Sequence, residues 1–299
     1  MTLNILTEAS GSLTSAYLIK AVQEAGYRAV ASDINPDCAG RYLADDFILM
    51  PSKNDINLWE KVVPALAQRK VNLVIPSLDE TMLGWAERKK ELKKLGIHVV
   101  ISEESTVKIF QDKWLTYRFF LEKGIPTPKT SLEQQYPLVK PRQGRGAVGV
   151  VVTSDSVNME GMISQEVIEG EEYTIDVFCD KISNPIYIVP RKRQGVKDGK
   201  STGGIVVKQV EIISWVEKIC KSISFIGPIN LQCFVCKDET IKFTEINPRV
   251  AGGMALGFAA TENWINLIVD HFFYDKDIKP KPIKFGMKMM RYYAEVFVS

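Results

Sequence analysis

A short run near the end of the sequence carries side chains suited to binding a hard metal ion. Glu245 and Asn247 lie two residues apart in a β-rich segment, so in a strand they point to the same face. A polar turn at 237–239 precedes this segment, and pairing back through the turn places Gln232 roughly opposite. One carboxylate and two amide oxygens suit Mg²⁺ better than zinc. The strand ends at a proline, which presents Arg249 where its guanidinium can meet a phosphate oxygen bidentately.

A glycine-rich segment further upstream offers a place for an anion. Gly144, Gly146 and Gly149 satisfy G-x-G-x-x-G, but a β-branched run follows them where a dinucleotide-binding turn needs a helix. The segment therefore predicts a loop between two strands, whose backbone N–H groups can approach a phosphate closely. Lys140 at the end of the first strand adds a positive charge there, and Arg145 is placed to cap the phosphates. A glycine-rich hairpin without a ligand is the alternative, as a solvated strand end is for the Glu245 run.

Alternating strands and helices in the first part of the chain predict a doubly wound parallel sheet covered on both faces. Asp79 and Glu80 follow the fourth strand, at the edge where such sheets bind substrates. They are expected either to grip an amine or hydroxyl or to cap the next helix. Strands are predicted at 3–6, 28–31, 47–50, 71–75 and 98–101, and helices at 15–25, 56–68 (kinked by its proline) and 80–95.

The sequence also contains partial motifs for a dinucleotide site and for a cysteine site. A dinucleotide-binding domain would use Asp33 for the ribose, but the first turn holds the single glycine Gly11, which disfavours NAD. Cys233 and Cys236 form C-x-x-C inside a predicted strand without a second cysteine pair, which disfavours zinc and redox chemistry.

The remaining segments complete the expected architecture. A helix at 112–123 carries Lys113 in its first turn, and an acidic turn after Gln165 leads into an alternating strand. Residues 191–204 are basic and glycine-rich and are predicted to be a loop between two strands, with Arg191 as a candidate substrate contact. Further elements are predicted as a core-packed helix at 212–223, a turn at 250–253 that offers backbone N–H groups, a helix near 263–272 and a final strand at 284–298.

Gln232 with the run Glu245-x-Asn247-Pro248-Arg249 resembles the metal-binding motif of the ATP-grasp ligases, with its nearest likeness to the ATP-binding halves of the carbamoyl phosphate synthase large chain. The resemblance covers nearly the whole chain and implies a mixture of α/β and α+β structure. It implies a pre-ATP-grasp domain at 1–101 and an ATP-grasp domain at 102–299. The second divides into a small ATP-covering lobe at about 112–170 and a larger catalytic lobe at about 171–299.

The resemblance also implies the ligands and their residues. ATP and Mg²⁺ (or Mn²⁺) are expected, with Arg249 as the catalytic residue and Gln232, Glu245 and Asn247 as metal ligands. The nucleotide is expected to contact the following residues: Lys113, Lys140, Gly144, Arg145, Gly146, Gly149, Glu166, Val167, Ile168 and Glu172. Of these, the resemblance assigns the Glu166 carbonyl and the Ile168 N–H to the adenine and Glu172 to the ribose. The substrates are expected to contact Gly252 and Gly253 of the 250–253 turn, and also Arg191 and Glu80.

Composition limits the function classes. The formal charge of +2 on 299 residues argues against nucleic acid and anionic membranes. No apolar run reaches the roughly 18 residues of a transmembrane helix, and no basic signal sequence begins the chain, so a cytoplasmic protein is expected. The resemblance implies a ligase that activates a small carboxylate as an acylphosphate and joins it to an amine, with a homodimer as a further expectation. A non-catalytic ATP-binding regulatory module and an NAD-dependent oxidoreductase are the alternatives.

Overall fold

The computed structural model describes residues 2–12, 15–144, 146–197 and 200–298, which form three β-sheets with helices packed against them. The first sheet has five strands, the second four and the third six. Strands pair in parallel in the first sheet and antiparallel in the other two. The predicted combination of α/β and α+β structure is confirmed.

The first sheet has the strand order β3-β2-β1-β4-β5, and helices cover both of its faces. Ile5 packs in one core cluster with helix α1, whereas the next residue, Leu6, packs in another with helices α3 and α4. This alternation has the period of two that a strand buried on both faces requires. Helix α3 continues through its proline, and the short α2 was not predicted. The elements are β1 (Asn4–Thr7), α1 (Ala16–Glu24), β2 (Arg28–Asp33), α2 (Ala39–Leu43), β3 (Asp46–Leu49), α3 (Leu58–Gln68), β4 (Val71–Ile75), α4 (Met82–Lys94) and β5 (His98–Val99).

The second sheet follows two helices and contains the glycine-rich loop. Asp112 caps the second of these helices by accepting from the backbone N–H groups of Trp114 and Leu115. The predicted loop between two strands is present, joining β7 to β8. The elements are α5 (Glu104–Phe110), α6 (Lys113–Glu122), β6 (Thr130–Ser131), β7 (Leu138–Pro141), β8 (Val151–Val152) and β9 (Met162–Gln165), with the strand order β6-β9-β7-β8.

The third sheet has the strand order β14-β13-β10-β11-β12-β15. Two short α-helices and a π-helix follow the hairpin of β13 and β14, and the last strand is much shorter than predicted. The elements are β10 (Gly170–Cys179), β11 (Pro185–Lys197), β12 (Lys200–Val206), α7 (Val210–Ser222), β13 (Gly227–Cys236), β14 (Ile241–Asn247), α8 (Ala255–Ala260), α9 (Trp264–Ile268), a π-helix (Val269–Phe273) and β15 (Lys288–Met290).

The prediction of a loop at 191–204 is wrong, because β11 and β12 continue through this segment as a long hairpin. Arg191 pairs with Val206 and Gln194 with Gly203 across the hairpin. Gly203 also pairs with β15, where a Cβ atom would lie 3.1 Å from the Met289 carbonyl oxygen. The glycines therefore allow close approach between strands, and their presence does not indicate a free loop.

The hairpin of β13 and β14 has the predicted register. Gln232 lies opposite Glu245, and Asn230 lies opposite Asn247. A bulge after Gln232 shifts the pairing for the rest of the hairpin, up to the turn at 237–240.

One hydrophobic core joins the first and third sheets. It contains residues of β1 and α1 together with Phe178, Tyr187 and Trp264. The carboxyl ends of the parallel strands are thereby held against the third sheet. Within the described parts of the chain, no helix combines the length and apolar character needed to cross a bilayer.

Candidate active site

The three predicted metal ligands lie together at the open end of the β13–β14 hairpin. Asn247 is 7% exposed, and Gln232 and Glu245 are half-buried. The cross-strand pairing brings the Gln232 and Glu245 side chains to one position on neighbouring strands. The donors are one carboxylate and two amides, which fits Mg²⁺ or Mn²⁺. No group of three His, Cys, Asp or Glu side chains in the described residues is arranged to bind a metal, so this amide-rich set is the candidate that the geometry offers.

Two cavities meet at this end of the hairpin, and Asn247 lines both. One, of about 300 Å³, is also lined by Lys113, Gly144 and Glu245. The other, of about 200 Å³, is lined by Gln232 and Arg249. The arrangement places possible metal ligands between two compartments that can each hold a ligand.

Arg249 is held by an acidic residue of the first sheet. Its Nε and Nη2 atoms donate to the two carboxylate oxygens of Asp79 at 2.7 and 2.6 Å. Nη1 donates to the Val250 carbonyl oxygen, and Nη2 also donates to Asn247 Oδ1. Burial alone would lower the pKa of the Arg249 guanidinium, but Asp79 raises it above its ordinary value, so the positive charge is retained.

This ion pair changes the interpretation of Asp79. Thr81, not Asp79, occupies the N-cap position of helix α4, and the Asp79 carboxylate is bound by arginine and not presented to an amine. The adjacent Glu80 is exposed and lines the larger cavity. Its predicted contact with a substrate stays a prediction.

A buried acid, Glu8, holds the loop that carries Asp79, and no motif in the sequence indicates this role. Its Oε1 atom accepts from Thr81 Oγ1 at 2.7 Å and from Trp85 Nε1 at 2.8 Å. Oε2 accepts from the Ser77 backbone N–H. Burial raises the pKa of the Glu8 carboxyl, and these hydrogen bonds oppose the rise. Glu8 therefore fixes residues 77–81 from both sides of Asp79.

Two lysines approach the glycine-rich loop. Lys113 Nζ donates to the Gly144 carbonyl oxygen at 2.9 Å, and Lys140 Nζ donates to Gln165 Oε1 at 2.9 Å. Burial lowers the pKa of Lys140 to about 8, although the Glu245 carboxylate partly opposes this shift. Lys140 is thus a cation whose charge is only partly balanced by Glu245, one of the predicted metal ligands.

The loop itself has the backbone that its glycines predict. Gly144, Gly146 and Gly149 have φ values of +121°, +65° and +73°, and Ala147 between them has +58°. Glycine adopts this region without the steric cost that other residues incur. Arg145, predicted to cap phosphates, lies outside the described residues.

The segment predicted to contact adenine joins β9 to β10. Val167 is exposed in this link, and Ile168 is half-buried. The side chain of Glu166 accepts from Lys242 Nζ at 2.5 Å and its backbone N–H donates to the Lys129 carbonyl oxygen, so the predicted adenine contact falls to the Glu166 carbonyl oxygen. Glu172, predicted to bind the ribose, forms an ion pair with Arg193. A ribose bound here would therefore share the Glu172 carboxylate with the Arg193 guanidinium.

Arg191 lies in strand β11 and not in the predicted loop, and it lines the smaller cavity; its predicted contact with a substrate stays a prediction. It is 1% exposed on β11 and forms a bidentate pair with Asp176, which is fully buried. Asn230 Nδ2 also donates to Asp176 Oδ1 at 2.8 Å. A Cβ atom added to Gly253 would lie 2.8 Å from Arg191 Nη2, so the guanidinium of the Arg191–Asp176 pair packs directly against the 250–253 turn. Gly252 and Gly253 themselves line the smaller cavity, and their contact with a substrate stays a prediction.

Solved structures with the same fold include ligases and synthetases. L-amino acid ligase from Bacillus licheniformis matches 90% of this chain and 74% of its own with a TM-score of 0.70 and 16% identity. N5-carboxyaminoimidazole synthetase from Staphylococcus aureus complexed with ADP matches 87% of this chain and 74% of its own with a TM-score of 0.67 and 18% identity. The predicted ATP-grasp fold is confirmed.

Sequence comparisons agree with the fold and support the resemblance to the ATP-grasp enzymes over two parts of the chain. A family model described as "ATP-grasp in the biosynthetic pathway with Ter operon" matches residues 158–293, and the model "PylC-like, N-terminal domain" matches residues 7–100. The predicted resemblance to the ATP-grasp ligases is thereby confirmed, and the relatives support ATP-dependent ligation as the activity.

Two curated relatives show the range of this similarity. Carbamoyl-phosphate synthase of Methanobrevibacter smithii is 27% identical over 262 residues, which are 77% of this chain and 70% of the relative. The 3-methyl-D-ornithine–L-lysine ligase of Methanosarcina barkeri is 27% identical over 170 residues, which are 56% of this chain and 44% of the relative. This chain thus spans less than half of the second relative.

Proposed function

We propose that this protein uses ATP and Mg²⁺ to activate a small carboxylate as an acylphosphate and then joins the acyl group to an amine. The observation that carries the proposal is that Asn247 lines both cavities, with Gln232 and Arg249 on the smaller one and Glu245 on the larger one. A nucleotide in the larger cavity and an acid in the smaller one would meet at these residues. The units that we propose for this task are a first domain at 1–101 and an ATP-grasp domain at 102–299, with lobes at about 112–170 and 171–299.

The nucleotide is proposed to lie between the glycine-rich loop and the β9–β10 link. Lys113 and Lys140 supply positive charge for the phosphates, and the loop closes over them. The backbone of Glu166 and Ile168 would contact the adenine, with Val167 alongside, and Glu172 the ribose. Closure of the loop would exclude water from the reactive intermediate.

Gln232, Glu245 and Asn247 are the residues that would hold Mg²⁺ or Mn²⁺. The metal would neutralise phosphate charge as a Lewis acid. Arg249 retains its charge beside this set and is proposed to stabilise the transferring phosphoryl group. Bare backbone N–H groups of Gly252 and Gly253 are proposed to contact the acid.

The reaction needs no nucleophilic side chain. A carboxylate oxygen of the acid attacks the γ-phosphorus, the bond to ADP breaks, and an acylphosphate forms. The amine nitrogen then attacks the acyl carbon, loses a proton, and expels inorganic phosphate. The phosphate carries away the oxygen that came from the acid. We further propose that both substrates are small molecules, that the enzyme acts in the cytoplasm without a nucleic-acid or membrane partner, and that it assembles as a homodimer.

The experiment that tests this function follows the acid's oxygen. Screening ADP release over paired carboxylates and amines identifies a substrate pair, and the acid is then labelled with ¹⁸O in its carboxyl group. We expect label in inorganic phosphate and equal amounts of ADP and phosphate. Label in AMP, or in neither product, would refute acylphosphate formation. A reaction without the amine serves as the control for hydrolysis.

Lys140 gives a pH-dependent test of nucleotide binding. Its pKa of about 8 means that it is charged below pH 8 and loses its charge as the pH rises through that value. ATP affinity should therefore fall between pH 7 and pH 9. Lys140→Ala should weaken binding at pH 7 by roughly 10-fold or more, since a hydrogen bond to a charged group contributes about 1.5–3 kcal/mol. Calorimetric titration of Mg-ATP measures both effects.

The matched variants are Lys140→Arg, which should bind ATP without the decline above pH 8, and Lys123→Ala, which removes an exposed lysine at the end of α6. Lys123→Ala should bind like the wild type. Equal affinities of folded Lys140→Ala and wild-type protein would show that Lys140 does not contact the phosphates.

A further inference from the structure

The smaller cavity is lined by four arginines that differ in their partners. Arg191 is paired with Asp176, Arg193 with Glu172, and Arg249 with Asp79. Arg291 also lines the cavity, from the chain segment just after β15. Among the ion pairs formed by the described residues, none includes Arg291, so it is the lining arginine to consider as an anion ligand.

Arg291 is held in place by backbone groups and not by a counter-charge. Its Nη2 atom donates to the Gly252 carbonyl oxygen at 2.5 Å, and its Nε atom donates to the Ser201 carbonyl oxygen at 3.2 Å. Its own backbone N–H donates to the Thr202 carbonyl oxygen at 2.9 Å. These contacts orient the guanidinium, but neutral carbonyls leave its full positive charge for a ligand.

The surroundings make that charge costly without an anion. Burial lowers the pKa of Arg291, and the neighbouring Arg191 lowers it further, while Tyr17 raises it. A half-buried cation without a counter-ion favours binding of an anion. Tyr17 itself lines the cavity and donates from its hydroxyl to the Ala251 carbonyl oxygen at 2.8 Å. The cavity therefore offers a pre-oriented site for one negative charge.

The separation of the two cavities indicates which anion this is. Lys113 and Gly144, two of the proposed phosphate contacts, line the larger cavity and not the smaller one, whereas Gly146 of the same loop reaches the smaller one. Arg291 lies in the compartment on the other side of Asn247, together with Gly252 and Gly253. We propose that Arg291 binds the carboxylate group of the acid substrate. This proposal rests on the proposed function and replaces Arg191 as the arginine that contacts the acid.

The test uses acetate as the probe and acetamide as its uncharged isostere. Binding to the full-length protein is followed by tyrosine and tryptophan fluorescence at constant ionic strength, with and without MgADP. Wild-type protein should respond to acetate and not to acetamide. Arg291→Gln should weaken acetate binding by about 10-fold or more, because it removes the charged donor. MgADP affinity should not change.

Two variants control for charge and for folding. Lys288→Gln removes an exposed positive charge from β15 and should bind acetate like the wild type. Arg291→Lys keeps the charge but loses the bidentate geometry, so its acetate affinity should lie between those of the wild type and Arg291→Gln.

Three outcomes would overturn the proposal. These are equal responses to acetate and acetamide, equal acetate affinities of the wild type and Arg291→Gln, and loss of MgADP binding in Arg291→Gln alone, which would assign Arg291 to the nucleotide. Failure of the proposed function would be seen separately, as wild-type protein that binds no MgADP, while the acetate measurements without nucleotide still judge Arg291.

Discussion

Arg249→Ala should lower kcat by about 100-fold or more while Mg-ATP still binds, since a group that stabilises charge mainly in the transition state contributes on this scale. The arginine keeps its charge in a site where its side chain is only 10% exposed, and low exposure strengthens its effect on a nearby phosphoryl group. Turnover of the identified substrate pair and calorimetric binding of Mg-ATP separate the two effects.

Asp79 provides the matched comparison, because Arg249 also joins two sheets. Asp79→Ala breaks the same ion pair but leaves the arginine in the site. If Arg249 acts in the reaction, Asp79→Ala should lose clearly less kcat than Arg249→Ala at similar cost in stability. Equal losses of kcat and stability in both variants would mean that the pair only holds the sheets together. Wild-type turnover in Arg249→Ala would move the reaction centre elsewhere.

Asp176→Ala should lower the free energy of unfolding by about 3–5 kcal/mol, because it leaves the Arg191 guanidinium buried without its partner. Both side chains are almost completely buried, and Asn230 also donates to the lost carboxylate. Urea denaturation measures the change. The exposed pair of Lys181 and Asp275 gives the control, since Asp275→Asn should change the free energy of unfolding far less than Asp176→Ala.

A double variant tests the mechanism of this destabilisation. Asp176→Leu combined with Arg191→Met removes both charges and keeps comparable volume, and should recover most of the stability lost in Asp176→Ala. A double variant as unstable as Asp176→Ala would show that lost packing, and not a stranded charge, explains the result.

The regular features of the fold were accessible from sequence because their signals are local. Strand β4 was predicted at its observed bounds, and the register of Gln232 against Glu245 followed from a turn and a period of two. The hairpin at 191–206 was missed for a related reason. Its basic and glycine-rich composition resembles that of a loop, and the strand neighbours that order it come from β15, distant in sequence.

The partners of the site's charged groups were not accessible from sequence. Asp79 meets Arg249 only because the first and third sheets are packed together, whereas Asp176 meets Arg191 between neighbouring strands of the third sheet and Glu8 meets Trp85 between the end of β1 and helix α4. No periodicity or motif encodes such contacts, so residue type alone assigned Asp79 to a helix cap or a substrate and Arg191 to a substrate. The same limit hid Arg291, which has no carboxylate partner among the residues that the structure describes, in contrast to the paired arginines beside it.

The contact between Asp79 and Arg249 also has a consequence for how the chain matures. The two residues are 170 positions apart, so at a synthesis rate of about 5–20 residues per second the arginine follows the aspartate by roughly 10–30 s. All of the Glu8 partners occur by Trp85, so the loop bearing Asp79 can be ordered well before Arg249 is translated. We therefore expect Arg249 to form its ion pair with an Asp79 loop that is already ordered. The protein should not turn over substrate before this ion pair has formed.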